Sequence, residues 1–577
     1  MFDGQDVPKL IQGAFVISDD STGSSPPTMP VFLMLARASA PLLAVAVCAS
    51  LASGVCSVLL VATINTALAE TSRKVSELAL QFAALAILAM LARTLAGVLF
   101  TRLSQSTLAN LRQHISRAVA NASYRGVQEI GPARIQSLLT EDTGHISTFF
   151  VGIPILLMNA VTVIGCFAYL AVLSWKIFLM ALVVAVLGSA VYHFSHVRVL
   201  KHLRAASRKQ DELFSHFGAL FHGAKELKLN RARAETFISQ ELGGAVETVR
   251  RHRVSGLSLY SLAASWGHFL FFAFIGLTLF LFADLASGDS RVATGYAIVF
   301  LYLMTPLEVL LNNIPVMNVA RVSAQRIEEV MRKMSNAEAI AVERTPQERV
   351  TVELDAVTHS YYHEREDDIF RIGPVSLSFP PGQVTFLVGG NGSGKTTLAK
   401  LLVGLYVPEH GRVLLNGEIT TDANRDAYRQ QFSAVFADFH LFQALLGMSD
   451  AGLDARANRM LERLHLNHKV TVHEGAFSTR DLSQGQRKRL ALLVACLEDR
   501  PFIVFDEWAA DQDPVFKEVF YREIVPDLKA RGKTVLVISH DDRYFPLADR
   551  LIRMEEGRIV EVSLSHSLTA KGARYGV

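Results

Sequence analysis

The stretch "GQVTFLVGGNGSGKTTLAKLLVGL", residues 382–405, decides the fold of the second half of the chain. It begins as an apolar strand, turns through a glycine-rich loop and continues as a helix. The turn carries the pattern GxxxxGK[ST], a phosphate-binding P-loop, in the strand–turn–helix setting that this loop requires. The candidate nucleotide-binding residues are Gly389, Gly390, Asn391, Gly392, Ser393, Gly394, Lys395, Thr396 and Thr397.

Each part of this loop has a chemical task. The glycines allow backbone N–H groups to wrap around phosphate oxygens. The Lys395 ammonium is expected to reach the β- and γ-phosphates, and the Thr396 hydroxyl to bind Mg²⁺. A chance glycine-rich loop does not explain the complete pattern in this setting.

A second apolar strand, "RPFIVFDEW", ends in the acidic pair Asp506 and Glu507. In a P-loop sheet, such a pair at the carboxyl end of a strand supplies a metal-binding carboxylate and a general base. We therefore expect Asp506 to lie in the Mg²⁺ shell and Glu507 to polarise the attacking water.

Two further segments complete the predicted site. "DLSQGQRKRLALLVACLEDR" opens a helix, and its first turn is predicted to form an anion site from Leu482, Ser483, Gln484, Gly485 and Gln486. In isolation this string is equally compatible with an ordinary capped helix. "KTVLVISHDDRYF" is another buried strand, and its His540 is placed to contact the γ-phosphate.

The first half of the chain has a different composition. Half of the 577 residues are apolar, 19% are charged and the mean hydropathy is +0.28, which indicates a chain partly within a bilayer. The net charge of +3 gives no support to a nucleic-acid partner. Four cysteines without a CxxC pair indicate neither a disulfide framework nor a zinc site.

We predict six membrane spans, each close to the ~20 residues needed to cross the hydrocarbon core. They lie near residues 40–63, 78–100, 149–173, 176–195, 262–283 and 293–315. The long connections 101–148 and 196–261 carry most of the Lys and Arg residues and show helical periodicity. Their charge places them, and both termini, in the cytoplasm. A specific anionic-ligand site is the alternative interpretation of these basic residues.

Several polar side chains fall at membrane depth in these spans. Arg93, His268 and Glu308 are candidates for lining a substrate path, because ionisable groups in a bilayer tend to face a cavity or a partner. The alternative is interhelical hydrogen bonding, or a position nearer the headgroups. Asn65, Asn159, Asn312 and Asn313 belong to the same set.

Taken together, the P-loop, residues 482–486 (the signature loop), the acidic strand and His540 (the switch histidine) resemble those of the ATP-binding cassette (ABC) family. The resemblance implies that Tyr361 stacks on adenine and that Asp513 communicates between two cassettes. In that family ATP lies between the P-loop of one cassette and the signature loop of the other. A chain with six spans and one cassette is half of a transporter, so the resemblance implies a homodimer that binds ATP and Mg²⁺.

The fold class is therefore an α-helical six-span exporter domain fused to a cytoplasmic α/β P-loop cassette. We expect a flexible segment over 1–30, a transmembrane domain over 31–334, a linker over 335–350 and the cassette over 351–577. The stretch "FHGAKELKLN" is expected to include or adjoin a contact with the cassette. The membrane is expected to be the bacterial inner membrane, with its lipid as a partner.

"GAKELKLNRARAETF", "FSAVFADFHLF" and "LSQGQRKRLALLVACLEDRPFIVFDEWAADQDP" resemble one branch, the cyclic-peptide and siderophore exporters of Gram-negative bacteria. This branch includes the syringomycin, pyoverdine-precursor and microcin exporters. It implies a nonribosomal or lasso-type peptide or siderophore as cargo, moved outward by alternating access. Without a peptidase domain ahead of the spans, leader cleavage is not expected. The alternatives are a lipid or multidrug exporter, a non-transporting ATPase and an inactive cassette.

One position departs from the family pattern. The stretch "QFSAVFADFHLF" has Ala437 and Asp438 where most ATP-driven pumps carry a glutamine that reaches the magnesium ion. Asp438 is a candidate third metal-site residue beside Thr396 and Asp506, because Mg²⁺ prefers hard oxygen ligands and keeps several waters. A purely structural role is the alternative.

Overall fold

The computed structural model of the chain describes residues 40–69, 75–277, 280, 290–334, 347–363, 368–448 and 450–564. The predicted segment 1–30 and most of the predicted linker lie outside the described residues. The same holds for the side chain of Tyr361 and for most side chains between 177 and 204. The described chain divides into two compact units, 40–113 with 137–329 and 114–136 with 330–564.

The first half of the chain is helical throughout its described part, as its periodicity predicts. The helices are α1 (Ala40–Ala69), α2 (Val75–Asn121), α3 (Tyr124–Ile130), α4 (Pro132–Ser137), α5 (Thr143–Leu173), α6 (Trp175–His222), α7 (Ala224–Leu229), α8 (Arg231–Thr236), α9 (Gly243–Gly276) and α10 (Ser290–Lys333). Two π-helical turns, Leu138–Asp142 and Phe237–Leu242, lead into α5 and α9.

Five helical segments of the described residues are long and apolar enough to cross a membrane. They are Ala40–Leu68, Ser76–Asn121, Arg134–Leu173, Arg231–Gly276 and Thr294–Lys333. These segments overlap the first, second, third, fifth and sixth predicted spans. The fourth predicted span lies on α6 and stays a prediction.

Small residues bring α1 and α5 close together. A Cβ atom added to Gly54 would lie 2.8 Å from the backbone oxygen of Met158, and one added to Gly165 would lie 2.6 Å from a methyl carbon of Val58. Such close approach is the usual basis of helix packing in lipid, where dispersion contacts replace the hydrophobic effect. The two glycines therefore set the separation of this helix pair.

Several of the polar residues at membrane depth are held by hydrogen bonds. Asn65 on α1 donates to the Tyr169 hydroxyl on α5 at 2.9 Å, and Asn159 and Asn313 donate to carbonyls one turn back in their own helices. For Asn65 the structure supports the interhelical interpretation, whereas Asn159 and Asn313 bond within their own helices.

The ionisable candidates are arranged differently. His268 Nε2 on α9 lies 3.7 Å from Glu308 Oε2 on α10, with both side chains about half exposed. Tyr260 and Asn312 form a hydrogen bond between the same two helices. Arg93 is exposed on α2. Their role in a substrate path stays a prediction.

The second unit contains the α/β cassette. Its strands are β1 (Val352–His363), β2 (Asp368–Phe379), β3 (Val384–Val388), β4 (His410–Leu415), β5 (Glu418–Ile419), β6 (Phe432–Val435), β7 (Val472–His473), β8 (Ala476–Phe477), β9 (Phe502–Asp506), β10 (Thr534–Ile538), β11 (Arg550–Glu555) and β12 (Arg558–Leu564). Its further helices are α11 (Lys395–Leu402), α12 (Arg425–Arg429), α13 (Leu453–Arg463), α14 (Gln484–Leu497), α15 (Pro514–Val519) and α16 (Val525–Ala530).

The central sheet has the strand order β12-β11-β3-β10-β9-β6 and is parallel except for β12. β3, β9 and β10 are buried along their whole length because helices or the second sheet cover both faces. Successive side chains enter opposite cores: Phe386 packs in one cluster and Leu387 in the other.

The register of this sheet creates the site. Ile538 at the end of β10 pairs with Leu387 of β3 on one side and with Asp506 of β9 on the other. The three strands therefore end level, and the segments that follow them meet at one edge, where open α/β sheets bind ligands. A four-stranded antiparallel sheet, β2-β1-β4-β5, packs beside it.

Candidate active site

The P-loop joins β3 to α11 in a conformation that needs glycine. Gly394 has φ +98° as the N-cap of α11, and Gly392 has φ +79°. A Cβ atom on Gly389 would lie 2.1 Å from the backbone oxygen of Met554 at the end of β11. The loop therefore adopts left-handed backbone and a close strand approach that only glycine accommodates at low cost.

Lys395 begins α11 and is 5% exposed. Its Nζ donates to the carbonyl oxygens of Gly389 and Gly390 at 3.1 and 2.8 Å. Burial lowers the pKa of this ammonium, whereas Glu507 and Asp506 act to raise it. The side chain is thus folded back over its own loop.

Thr396 and Asp506 form the predicted metal pair. The Thr396 hydroxyl donates to Asp506 Oδ2 at 2.9 Å, while Asp506 Oδ1 is buried without a hydrogen-bond partner. Burial raises the pKa of Asp506, and the Thr396 hydrogen bond lowers it.

The donor set fits Mg²⁺, which commonly takes one or two protein oxygens and completes its shell with water and phosphate. Among the described residues, no group of three or more His, Cys, Asp or Glu side chains is arranged to hold a metal alone. The Ser393 hydroxyl is also buried, and it has no hydrogen-bond partner among the described residues.

Glu507 follows β9 in left-handed backbone, with φ +49°. A non-glycine residue there costs roughly 1–2 kcal/mol, so the surroundings must hold it. Its N–H donates to the Ile538 carbonyl at 3.1 Å, and its carbonyl accepts from Lys488 Nζ at 3.2 Å. The next residue, Trp508, is 1% exposed and anchors the turn by donating to the Lys488 carbonyl. The strained turn directs the Glu507 carboxylate to His540, whose Nε2 lies 3.0 Å from Oε1.

The signature residues form a capped helix start. The Ser483 hydroxyl accepts from Gln486 N–H, and the Gln486 side chain accepts from Ser483 N–H, a complete capping box. Gln484 donates to Asp511, and Gly485 accepts from Gln512. In the described chain no hydrogen bond of residues 482–486 reaches the P-loop of the same molecule.

Asp513 ends the loop of residues 509–513, which contacts the signature loop, residues 482–486. It caps α15 by accepting from Phe516 N–H at 2.9 Å, and it pairs with Arg489 of α14 at 2.5 Å. This pairing fixes the signature helix and the segment after Glu507 to each other. The structure thus gives Asp513 a structural task in addition to its predicted communication between cassettes.

Asp438 has a different neighbour from the one expected. It lies exposed in the turn after β6, and among the described residues it makes no hydrogen bond to Thr396 or Asp506. Its charge acts on Lys400 of α11: burial opposes the Lys400 charge, but Tyr124, Tyr406 and Asp438 together raise its pKa. The predicted Mg²⁺ role of Asp438 stays a prediction. For Tyr361 the backbone alone is described, paired with Phe370.

Comparison with known proteins identifies the family of this chain. The family model described as "ABC transporter transmembrane region" matches residues 40–307, and the one described as "ABC transporter" matches residues 372–510. The ATP-binding protein SyrD of Pseudomonas syringae pv. syringae is 34% identical over 522 residues, which cover 88% of this chain and 92% of SyrD. The chain belongs to the ABC transporter family.

This ABC transporter is a half-molecule, because one transmembrane region precedes one cassette. It is a multi-pass membrane protein whose ATPase activity is coupled to transport. A solved structure of a bacterial Atm1-family ABC exporter with ATP bound has the same fold, with a TM-score of 0.71 and 16% identity over 94% of this chain and 99% of that one. A multidrug efflux ATP-binding/permease protein of Mycobacterium bovis is 27% identical over 82% of this chain and 40% of its own length.

One part of the ABC cassette unit was not foreseen from the sequence. Residues 114–136, between the second and third predicted spans, belong to the same compact unit as the cassette. Tyr124 of α3 contacts Lys400, and Gln128 contacts Tyr406. Arg125 of α3 lies close to Glu409. No spacing or periodicity in the sequence pairs α3 with these cassette positions.

Proposed function

We propose that this ABC exporter moves a cyclic or nonribosomal peptide, or a siderophore or its precursor, from the cytoplasm across the bacterial inner membrane. The observation that carries the proposal is the similarity to SyrD, which extends over both domains at 34% identity. The multidrug relative from Mycobacterium bovis reaches 27% over a comparable share of this chain. A lipid or multidrug cargo is the second candidate, favoured by that relative.

The described geometry supports a division of tasks in ATP hydrolysis. Lys395 and the P-loop amides hold the phosphates, and Thr396 with Asp506 would hold Mg²⁺, which supplies positive charge opposite the phosphate oxygens. Glu507 lies where a carboxylate accepts the proton of an attacking water. His540 holds the Glu507 carboxylate at 3.0 Å and faces the same edge of the sheet.

We propose further that the functional form is a homodimer in which each ATP contacts two chains. The support is that the signature residues 482–486 contact the 509–513 loop and not the P-loop of their own chain. Ser483 and Gln484 are exposed and free to meet a second copy.

Mixed dimers test whether each ATP site is a composite of the P-loop of one chain and the signature loop of the other. Lys395→Ala disables a P-loop, and Ser483→Arg blocks a signature loop. Each variant alone should lose most ATPase activity, since both composite sites are damaged. A mixture of the two regains one intact site, so activity should return when differently tagged copies are purified together. No recovery in a verified mixed dimer would show that each chain completes its own site.

The cargo class is tested in inside-out inner-membrane vesicles that carry the full chain. Four probes are compared: a cyclic nonribosomal lipopeptide, a siderophore precursor, a fluorescent cationic drug and a fluorescent phospholipid. We expect ATP-dependent accumulation of the lipopeptide or siderophore precursor, absent with Glu507→Gln. Accumulation of the drug or phospholipid alone would favour the second candidate, and ATP-dependent loss of preloaded peptide would reverse the direction.

A further inference from the structure

Lys400 presents an unusual environment for a lysine. It lies on α11 and is 9% exposed, yet among the described residues no carboxylate lies within ion-pair distance of its ammonium. The Nζ atom lies 5.3, 5.9 and 5.8 Å from the ring centres of Tyr124, Tyr406 and Phe436. Its hydrogen-bond partner is the Tyr124 hydroxyl at 3.5 Å. The cation is therefore held by aromatic faces from three different segments.

Stability alone does not account for this charge. Burying an ammonium costs free energy unless it is paired, and cation–π contacts return only about 0.5–2 kcal/mol. An apolar side chain of similar length, such as methionine, would fill the same space without the desolvation cost. Packing alone therefore does not explain why this position carries a charge.

The position of Lys400 on α11 connects two regions. Thr396 and Lys400 are four residues apart on one helix, so they lie on the same face one turn apart. Thr396 donates to Asp506 in the hydrolysis site. Lys400 reaches Tyr124 of α3, and its charge also acts on Asp438 in the turn after β6. One rigid turn of helix therefore joins the metal pair to the α3 contact.

The α3 contact is specific beyond Lys400. Tyr406 donates to Gln128 at 2.8 Å, its ring stacks on His359 with centroids 5.0 Å apart, and Tyr124 and Tyr406 rings lie 5.8 Å apart. Arg125 lies 4.0 Å from Glu409 at the rim. A displacement of α11 at Lys400 would therefore move or break the contact with Tyr124 of α3.

We propose that Lys400 is a positioning residue that couples the nucleotide state of the cassette to α3, through the contact of its ammonium with the Tyr124 ring and hydroxyl. In this role it links the turn that lacks the usual glutamine, at Asp438, to the loop between the second and third spans. Of the proposed function, this role requires only that the cassette binds and hydrolyses ATP. It does not depend on the cargo or on the direction of transport.

The test compares Lys400→Met with Lys400→Arg in the full chain, using ATP and Mg²⁺ as probes. For Lys400→Met we expect unchanged half-saturating ATP and thermal stability, with kcat lower by roughly tenfold, within the range of coupling between sites. Lys400→Arg retains a cation for the aromatic faces and should recover most of kcat. Lys533→Met, which neutralises another largely buried lysine of the cassette, is the matched control and should keep parental kinetics.

Amide hydrogen exchange of residues 124–130 provides the readout that packing alone would not move. In the parent, saturating ATP should change exchange in this segment, and in Lys400→Met the change should be lost although ATP is bound. Tyr124→Leu should have the same effect from the other side. The double variant should be no worse than either single one, because both remove one contact.

Three results would overturn the proposal. The first is a parental, ATP-dependent exchange change in Lys400→Met. The second is failure of Lys400→Arg to recover activity, together with a lower Tm in both Lys400 variants, which would assign the residue to packing. The third is additive loss in the double variant, which would make the two residues independent.

Discussion

His540 Nε2 lies 3.0 Å from Glu507 Oε1, and the two residues follow neighbouring strands that end level in the sheet. Glu507 holds this contact in left-handed backbone that costs free energy. The strain is compensated by the buried Trp508 and by hydrogen bonds made by the N–H and the carbonyl of Glu507. The orientation of the carboxylate is thus set by contacts within the chain itself.

Glu507→Gln should abolish steady-state hydrolysis and leave ATP binding intact. The amide keeps the shape of the side chain and its contact with His540, but it cannot accept the proton of water. A positioned base contributes about 10²–10⁴ in rate, so kcat should fall by that factor. Phosphate release measures kcat, and retention of labelled ATP after desalting measures trapping. Glu523→Gln, an exposed carboxylate of the same cassette, is the control, and hydrolysis by Glu507→Gln at the parental rate would contradict the assignment.

Gly389→Ala and Gly390→Ala form a matched pair in the P-loop. The methyl group at 389 would lie 2.1 Å from the Met554 carbonyl oxygen, whereas the one at 390 has no neighbour within 4 Å. We expect Gly389→Ala to destabilise the cassette by about 1–3 kcal/mol or more, as overpacking does, and Gly390→Ala to change little. Thermal unfolding without nucleotide measures both. Equal melting temperatures for the pair would show that β11 moves aside without cost.

A second glycine pair tests the membrane unit. Gly54→Ala places a methyl group 2.8 Å from the Met158 backbone oxygen, so α1 and α5 must separate. Gly97→Ala has open space around it and favours the helix slightly. The first variant should lower the melting temperature of the protein in lipid nanodiscs, and the second should leave it unchanged or raise it. The same shift in both variants would argue against the close α1–α5 contact.

Asp513→Ala should lower the melting temperature of the nucleotide-free protein more than Asp513→Asn. Both variants lose the charge that pairs with Arg489, but asparagine still caps α15. Removing an N-cap acceptor typically costs about 1 kcal/mol. If alanine and asparagine gave the same melting temperature, the cap would contribute nothing.

The parent protein should be more stable than its Asp513→Asn variant by an amount that depends on pH. The hydrogen bond from Phe516 N–H, and then the Arg489 charge, hold the pKa of Asp513 below its usual range, against the effect of burial. A carboxyl with a lowered folded pKa stabilises fully above its unfolded value of about 3.9. The difference in melting temperature between the parent and Asp513→Asn should therefore be constant near neutrality and shrink as the pH falls through the folded pKa.

The cassette was predictable because its elements carry local signals. The P-loop needs glycine at positions such as Gly394, and the capping box of Ser483 and Gln486 marks a helix start within four residues. Buried strands that end at Asp506 and Ile538 are recognised by length and composition. Such features depend on neighbours in sequence, so one chain suffices to find them.

The environment of Lys400 was not predictable in the same way. Its partner Tyr124 lies 276 positions earlier, and no spacing rule connects an aromatic residue in the loop between two predicted spans to a lysine in a P-loop helix. The neighbour of Asp438 was missed for the same reason. In the membrane unit, the apolar spans followed from composition, whereas the pairing of His268 with Glu308 required the packing of α9 against α10.

The shared unit of residues 114–136 and the cassette has a consequence for biosynthesis. Tyr124 leaves the ribosome 276 residues ahead of Lys400, which at ~5–20 residues per second is about 15 to 55 seconds. During that interval α3 has no partner, while later spans are still entering the bilayer. Lys400, Tyr406 and Glu409 must then assemble against a segment made long before, so translation speed and insertion of the spans both bear on the yield of correctly folded protein.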